Sequence, residues 1–485
     1  MRYTSIIILF LLCVRLAHIA LISGSAYETM AQSQQNKKQL VSIKRGDVCD
    51  AKGVKLTDGK NLSLYLDSSG NIGTEAEGAV YEIPSTLRFS PVASHIIGYT
   101  DAEGNGKSGI ESVYNDFLKT SSGRYLTYMA DASGKPVRDY VLYDEEGEKH
   151  TVKLTIDADI QNICETVMDE YINKGAAVVL DVSTFDVLAS VSRPDFEADK
   201  ISSYAESENG ELLNRALLPY NAGSVFKIVT AAASLEKNKD NVYRKFNCKG
   251  VFCPDKKHKF YCHETKGHGM LRFDEAFALS CNCAFYALAS DVGANSIIDM
   301  ALDFGFGSAM LNSPLGESEG NMPIRSEYSP AETLNIAIGQ GEILVTPMQC
   351  AAMVATVAGG GIRRDINIVS EFEDDGIGTD AKNKGEVRVI SEDTALMLSE
   401  MMRKCVTDGT GIEAMTSSVN IAGKTGSAET GIMADGEMQV HGWFCGFFPA
   451  EAPKYALVVF SEGGKSGSMC VEPFVKMAEG ICAIN

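Results

Sequence analysis

A single cation in an apolar run constrains this chain most strongly. The segment "PYNAGSVFKIVTAAASLE", residues 219–236, reads as a helix in which Val225, Phe226, Ile228 and Val229 surround Lys227 and alanines follow. A surface lysine sits among polar neighbours. One in such a setting is buried, and burial disfavours the charged form of the amine. Ser224 stands three residues before Lys227, so helical spacing places the two on one face, one turn apart. Gly223 suits a tight entry that puts Ser224 in the first turn, where helix N–H groups stabilise negative charge. A serine hydroxyl is a weak nucleophile that needs a base, and a desolvated, neutral lysine supplies one. Alone the pattern is weak: on the order of one or two SxxK matches arise by chance in a chain this long at average composition.

The chain has 485 residues, enough for two or more domains and a large core. Its formal net charge of −20 argues against nucleic acid as a partner, because phosphate binding needs a basic footprint. At the N-terminus, "MRYTSIIILFLLCVRLAHIALISGSAYE" has one early cation and then an apolar stretch interrupted by Arg15 and His18. Two readings compete. A cleaved signal peptide would use the small residues Ser23, Gly24, Ser25 and Ala26. An uncleaved anchor over Ser5 to Ile22, the favoured reading, has a length close to a membrane span, although Arg15 costs a few kcal/mol near mid-bilayer. Either way the remainder faces outward. Of the 13 cysteines most are scattered in apolar contexts, as Cys350 and Cys445 are, and read as buried small hydrophobes. Cys248, Cys253 and Cys262 cluster with His258, His263 and His268. A disulfide, free thiols and a metal site all remain open there, in that order of preference, since the spacing fits no standard pair of CxxC ligands.

Residues 39 to about 150 alternate short β-like runs with turns, as in "NLSLYLDSSGNIG" and "GRYLTYMADASGKPVRDYVLYDEEGEK", and a break falls near residues 144–150. Then "VKLTIDADIQNICETVMDEYINK" predicts a strand followed by a helix capped by Asp157 or Asp159, and "GAAVVLDVSTFDVLASVS" a hairpin. Helices are predicted over 221–236, over "LRFDEAFALSCNCAFYALASDVG", over "PMQCAAMVATVAGGG", and over "SEDTALMLSEMMRKCVTDGTG" with Asp393 near its start. The end is strand-rich, with "VNIAGKTGSAET", "VHGWFCGFFPA" and "KYALVVFSEGG" before a closing helix. The mixture is α+β with an antiparallel C-terminal sheet, not a repeating βαβ series.

Two further motifs join Ser224 and Lys227. In "ALSCNCAF", Ser280 is suited to relay a proton and Asn282 to offer an amide to a substrate carbonyl. In "IAGKTGSAET", Lys424 would supply positive charge for a carboxylate and Thr425 a hydrogen bond to it. Gly426 would let substrate backbone approach the strand. The N–H groups of Ser224 and Ser427 are candidates for an oxyanion hole. Taken singly, Ser280 reads by default as a helix serine, Asn282 as a cap and KTG as a polar turn.

SxxK, SxN and KTG in this order resemble the set found in penicillin-binding proteins and class A β-lactamases. The chain is most similar to the monofunctional class B penicillin-binding transpeptidases. The likeness runs through "RGDVCDAKGVKLT" (45–57), "IIGYTDAEGNGKSGIESVYNDFL" (96–118), "LTIDADIQ" (154–161), "NRALLPYNAGSVFK" (214–227), "GHGMLRFDEAFALSCN" (267–282), "IGQGEILVTPMQCAAMVA" (338–355), "VTDGTG" (406–411) and "HGWFCGFFPAEAPKYALVVF" (441–460). It departs from the family at Asn221-Ala222, where two prolines are usual, and at Phe185, where a turn glycine is usual.

The resemblance implies a membrane anchor over 1–25, a β-rich pedestal over 26–150 and a transpeptidase domain of serine β-lactamase-like fold over 151–485, its antiparallel sheet flanked by helices. It implies an extracytoplasmic acyltransferase that cross-links peptidoglycan stem peptides. Ser224 would be the nucleophile towards a D-Ala-D-Ala donor, with Lys227, Ser280 and Lys424 catalytic and Asn282, Thr425, Gly426 and Ser427 binding substrate. β-Lactams would acylate Ser224, a polytopic lipid II polymerase would be a partner, and the chemistry requires neither metal nor organic cofactor. The alternatives are a D,D-carboxypeptidase or β-lactamase-type hydrolase, and a largely non-catalytic cell-wall scaffold.

Overall fold

The computed structural model describes residues 2–484 apart from 75–77, 102, 138, 139, 146, 198, 199, 205 and 435. Arg138, Asp139 and Glu146 of the second expected hairpin thus lie outside the described residues. Helix α1, Arg2–Leu21, contains a 19-residue stretch, Tyr3–Leu21, of mean hydropathy 2.3 with none of it buried. By length and composition it suffices to cross a membrane.

The pedestal follows as two three-stranded sheets. One orders the strands Asn36–Arg45, Lys119–Met129 and Val141–Glu145, and the other Ile72–Gly73, Asp58–Asp67 and Ala79–Phe89. Val41, Leu64, Leu66, Ile83, Leu126, Tyr128 and Ala130 fill the small core between them. Arg45, Arg88 and Glu111 meet at its base. The Glu111 carboxylate lies 2.8 Å from Arg45 and 2.7 Å from Arg88, and its side chain is 1% exposed. The pedestal docks on the remainder through Tyr114, whose hydroxyl donates to Ser313 Oγ at 3.1 Å, and through Phe117 packed edge-on against Phe372.

The boundary expected after residue 150 falls inside a strand, His150–Leu154. That strand pairs in parallel with Asp47–Cys49 and antiparallel with Val369–Asp374, so one four-stranded sheet stitches the two parts together.

The larger part is built on a five-stranded antiparallel sheet from β1 (Gly175–Asp181), β2 (Val187–Arg193), β3 (Ala422–Ala434), β4 (Glu437–Phe448) and β5 (Tyr455–Ser461). Their order is β2-β1-β5-β4-β3, which leaves β3 at an edge. Side chains alternate between the two faces. Ala176, Val178 and Leu180 of β1, with Val458 and Phe460 of β5 and Trp443 of β4, face one core. Ala177, Val179, Leu457, Val459 and Phe444 face the other. Both faces are covered, which is why β1 reads as an unbroken apolar run. On the second face lie α2 (Ala158–Tyr171), capped by Asp157 as expected, and the closing helix. The first face carries α3 (Lys227–Lys237), α4 (Phe273–Ala278), α5 (Asn282–Val292), α6 (Pro347–Ala358) and α7 (Glu392–Asp408).

Two local expectations need correction. Residues 221–236 are not one helix: 220–221 form a short strand, and Gly223–Phe226 a 3₁₀ turn that leads into α3. The helix predicted over 271–293 is two, α4 and α5, broken where Ser280 adopts φ 52°. Ser391 caps α7, accepting from Thr394 N–H, and Asp393 stands in its first turn as expected.

The turn between β1 and β2 explains the unusual Phe185. Its φ is 60°, a region that glycine enters freely and other residues at a cost of about 1–2 kcal/mol. The ring is fully buried in the main core, and that burial offsets the backbone strain. Phe185→Ala keeps the strain and loses the ring, so it should destabilise by about 3–5 kcal/mol. Phe185→Gly should lose less than Phe185→Ala, an order that chemical unfolding of the two variants checks.

Candidate active site

The catalytic candidates converge because three elements meet at the edge of the sheet. Ser224 lies in the 3₁₀ turn that precedes α3, and Lys227 opens α3 itself. Positions i and i+3 of a 3₁₀ turn eclipse each other, so the serine and the amine share one side. Gly223 has φ 56°, and a Cβ there would lie 2.7 Å from Ser427 O and 2.9 Å from Ala428 Cβ. Gly426 faces back across the same seam: its Cβ would lie 2.8 Å from Val225 Cγ1. The two glycines together let β3 press against the turn that carries Ser224. Gly426 therefore makes room for Val225.

Lys227 is fully buried. Its Nζ lies 2.7 Å from Ser280 O, 2.6 Å from Asn282 Oδ1 and 3.1 Å from Ser280 Oγ. Desolvation holds its pKa well below the ordinary value for a lysine, and the nearby Lys424 charge lowers it further. In the neutral state the arrangement has a definite polarity. Nζ donates its two hydrogens to the carbonyl and amide oxygens, which have none of their own, and its lone pair is left to accept a proton. The break between α4 and α5 makes this contact. Had 271–293 been one helix, the Ser280 carbonyl would be committed to its own backbone ladder.

Ser224, Ser280, Asn282, Thr425 and Ser427 line one cleft of about 740 Å³. Lys424 and Gly426 do not line it. Lys424 is also fully buried, and its Nζ donates to Thr425 O at 2.9 Å. Burial lowers its pKa too. The hydroxyl of Thr425 meets that of Thr410 at 2.6 Å, and the Ser427 hydroxyl accepts from Gly467 N–H at 2.9 Å. Asn335, Gln340, Thr410 and Lys465 also line the cleft and were not among the expected site residues. A signal for Thr410 existed in "VTDGTG"; Lys465 is an exposed lysine in a glycine-rich loop with nothing in its neighbourhood to distinguish it.

Residues 175–478 match the model of the penicillin binding protein transpeptidase domain. The chain belongs to that family. As a whole the transpeptidase is 27% identical to Stage V sporulation protein D of Bacillus subtilis, over 95% of this chain and 80% of the relative. It is 26% identical to Peptidoglycan D,D-transpeptidase PbpA of Mycolicibacterium smegmatis, over 96% and 94%. Other relatives are longer, and the chain spans about three-fifths of their length. A solved structure described as "Structural coordination of polymerization and crosslinking by a peptidoglycan synthase complex" superposes with TM-score 0.74 at 23% identity, over 100% of this chain and 98% of the other. That likeness extends the shared fold through the pedestal and the N-terminal helix.

All 13 cysteines are free, so the disulfide expected among Cys248, Cys253 and Cys262 is not formed. Cys253 is exposed and is not part of the group of converging ligand atoms. Cys248 and Cys262 instead converge with His268 and with Cys281, the residue between Ser280 and Asn282.

Proposed function

We propose that this transpeptidase cross-links peptidoglycan stem peptides through an acyl-enzyme on Ser224. The observation that carries the reading is the buried Lys227 amine, held by Ser280 and Asn282 and one 3₁₀ turn along the chain from the serine that lines the cleft. Ser224 Oγ attacks the carbonyl between the two terminal D-alanines of the donor and its proton passes to Lys227 Nζ. Ser280, whose hydroxyl bridges the amine and the cleft, relays a proton to the departing D-alanine nitrogen. The ester on Ser224 is then attacked by an amine from a second stem peptide, and the proton returns by the same route.

The donor has a natural track. β3 is an edge strand, and an extended peptide can add to it through backbone hydrogen bonds. Asn282 from one wall and Thr425 from the other would hold its amide and its carboxylate. The N–H groups of Ser224 and Ser427 would face the developing oxyanion. Lys424 would bias the site electrically from behind Thr425. A β-lactam with the same carboxylate and acyl group would take the same place. Helix α1 is suited to hold the protein at a membrane with the other residues outside the cell, and the likeness to the synthase complex supports a polymerase as its partner.

Two experiments test this. Labelled penicillin should modify wild-type protein at Ser224 and leave Ser224→Ala unlabelled; label elsewhere defeats the acyl-enzyme. Donor pentapeptide mixed with an acceptor amine should give dimer in excess of free tetrapeptide, whereas tetrapeptide alone would mark a hydrolase.

The pH profile gives an independent check. The base works only when neutral, so acylation should fall about tenfold per pH unit below the lowered pKa of Lys227 and be flat above it. Lys424→Met removes a like charge, which raises that pKa, so the acid limb should move to higher pH. An unmoved limb would show that Lys424 does not act on Lys227.

A further inference from the structure

Residues 245–272 leave the helical body as an excursion of two short ladders, Lys245–Cys248 with Gly269–Arg272 and Val251–Phe252 with Phe260–Tyr261. Within it only Phe246, Cys248, Gly250, Cys262 and Leu271 are buried. That is too little apolar surface to hold so long a segment in one conformation. The excursion nevertheless packs on the start of α5, and at the contact four metal-ligating side chains meet. Cys248 ends the first strand, His268 stands beside Gly269 opposite it, Cys262 follows the second ladder, and Cys281 precedes α5. Their ligand atoms all lie within 4.8 Å of one another, and the three cysteines are buried.

We propose that Cys248, Cys262, His268 and Cys281 form a tetrahedral site for zinc or a similar thiophilic divalent cation, which fixes the turn carrying Ser280 and Asn282. The spacings suit such an ion. Bonds of about 2.3 Å to sulfur and 2.0–2.1 Å to nitrogen place tetrahedral ligands about 3.8 Å apart for two sulfurs and about 3.5 Å for sulfur and nitrogen. Cys262 Sγ lies 4.0 Å from Cys281 Sγ and 3.6 Å from His268 Nδ1. Three thiolates and a neutral imidazole select a soft cation over magnesium or calcium. Binding releases the thiol protons to solvent and involves no electron transfer. All four positions are taken by protein, so the ion has no open site for substrate and its role is structural.

The consequence for the active site follows from chain connectivity. Cys281 lies between the residue whose carbonyl and hydroxyl hold Lys227 and the residue whose amide does so. Ser280 is in the left-handed region, which persists only where the surroundings over-determine it. A metal bond at Cys281 would supply that determination. This part of the inference rests on the acyl-enzyme reading; the metal site does not.

The test uses the full chain in detergent, purified under reductant with zinc present. Elemental analysis should give about one zinc per chain. Cobalt substitution should give the intense near-ultraviolet thiolate-to-metal band of a tetrahedral site, and Cys248→Ser with His268→Ala should abolish both. The exposed Cys253→Ser is the control and should keep the ion. Removing zinc with a strong chelator should slow penicillin acylation on the order of tenfold or more, restored by zinc and not by magnesium. Less than a tenth of an equivalent of zinc in wild type together with no cobalt band would overturn the site. Metal content unchanged in the double variant would do so too. Full metal with acylation indifferent to its removal would overturn the bracing role alone.

Discussion

Replacing Lys227 by methionine should slow acylation of Ser224 by about 10³-fold or more and leave the fold as stable as before, or more so. The two halves of this result have one cause. The amine is enclosed by apolar residues, and Phe285 presents its ring 5.3 Å from Nζ. Keeping a polar nitrogen there costs desolvation free energy that only the bonds to Ser280 and Asn282 offset. Methionine fills a similar volume without that demand. Lys227→Arg is the informative companion: it keeps hydrogen-bond donors but cannot lose its proton, so it should be equally slow and also destabilised by a buried charge. Rates of labelled-penicillin binding, with thermal melts of each variant, check both. A methionine variant that acylates at the wild-type rate would remove the lysine from the mechanism.

Glu111→Ala should destabilise the pedestal by about 3–5 kcal/mol with little change in the acylation rate. The carboxylate is the sole anion joined to both Arg45 and Arg88 among the described residues, and it ties the end of one pedestal strand, the end of another and the helix Gly109–Val113. Arg45 keeps three neutral partners in the variant, since it also donates to Gly104 O at 2.8 Å, to Asn115 Oδ1 at 2.9 Å and to the backbone carbonyl of Glu111 at 2.9 Å. Those bonds do not neutralise two guanidinium groups left facing each other out of water. Hydrogen exchange should therefore show the pedestal opening well before the catalytic sheet. Loss of protection spread evenly over both parts would mean that the junction sheet couples them into one folding unit.

Periodicity made most of the catalytic framework legible. The β1–β2 hairpin, α2 with its Asp157 cap, α6 and the three C-terminal strands stand where the pattern of apolar residues put them. Local chemistry was enough in each case. The breaks were not legible. Residues 271–293 are helix-forming throughout by composition, and the interruption at 279–281 exists because Ser280 must face Lys227, a residue more than fifty positions earlier. The packing of Gly426 against Val225 was not legible for the same reason, since the two are remote in sequence. Cys281 was hidden from the cysteine–histidine cluster by the strand and helix that separate them along the chain.

By itself the sequence determined the membership of the site: a serine, two lysines, an SxN turn and a KTG strand, each within a segment whose local preferences are strong. Which way each group acts was left to the tertiary structure. Burial depends on what packs from elsewhere, and burial is what lowers the pKa of Lys227 and of Lys424. The same long-range packing brings three cysteines and a histidine to one point, because ligand spacing in space is fixed by the crossing of segments and not by their order along the chain.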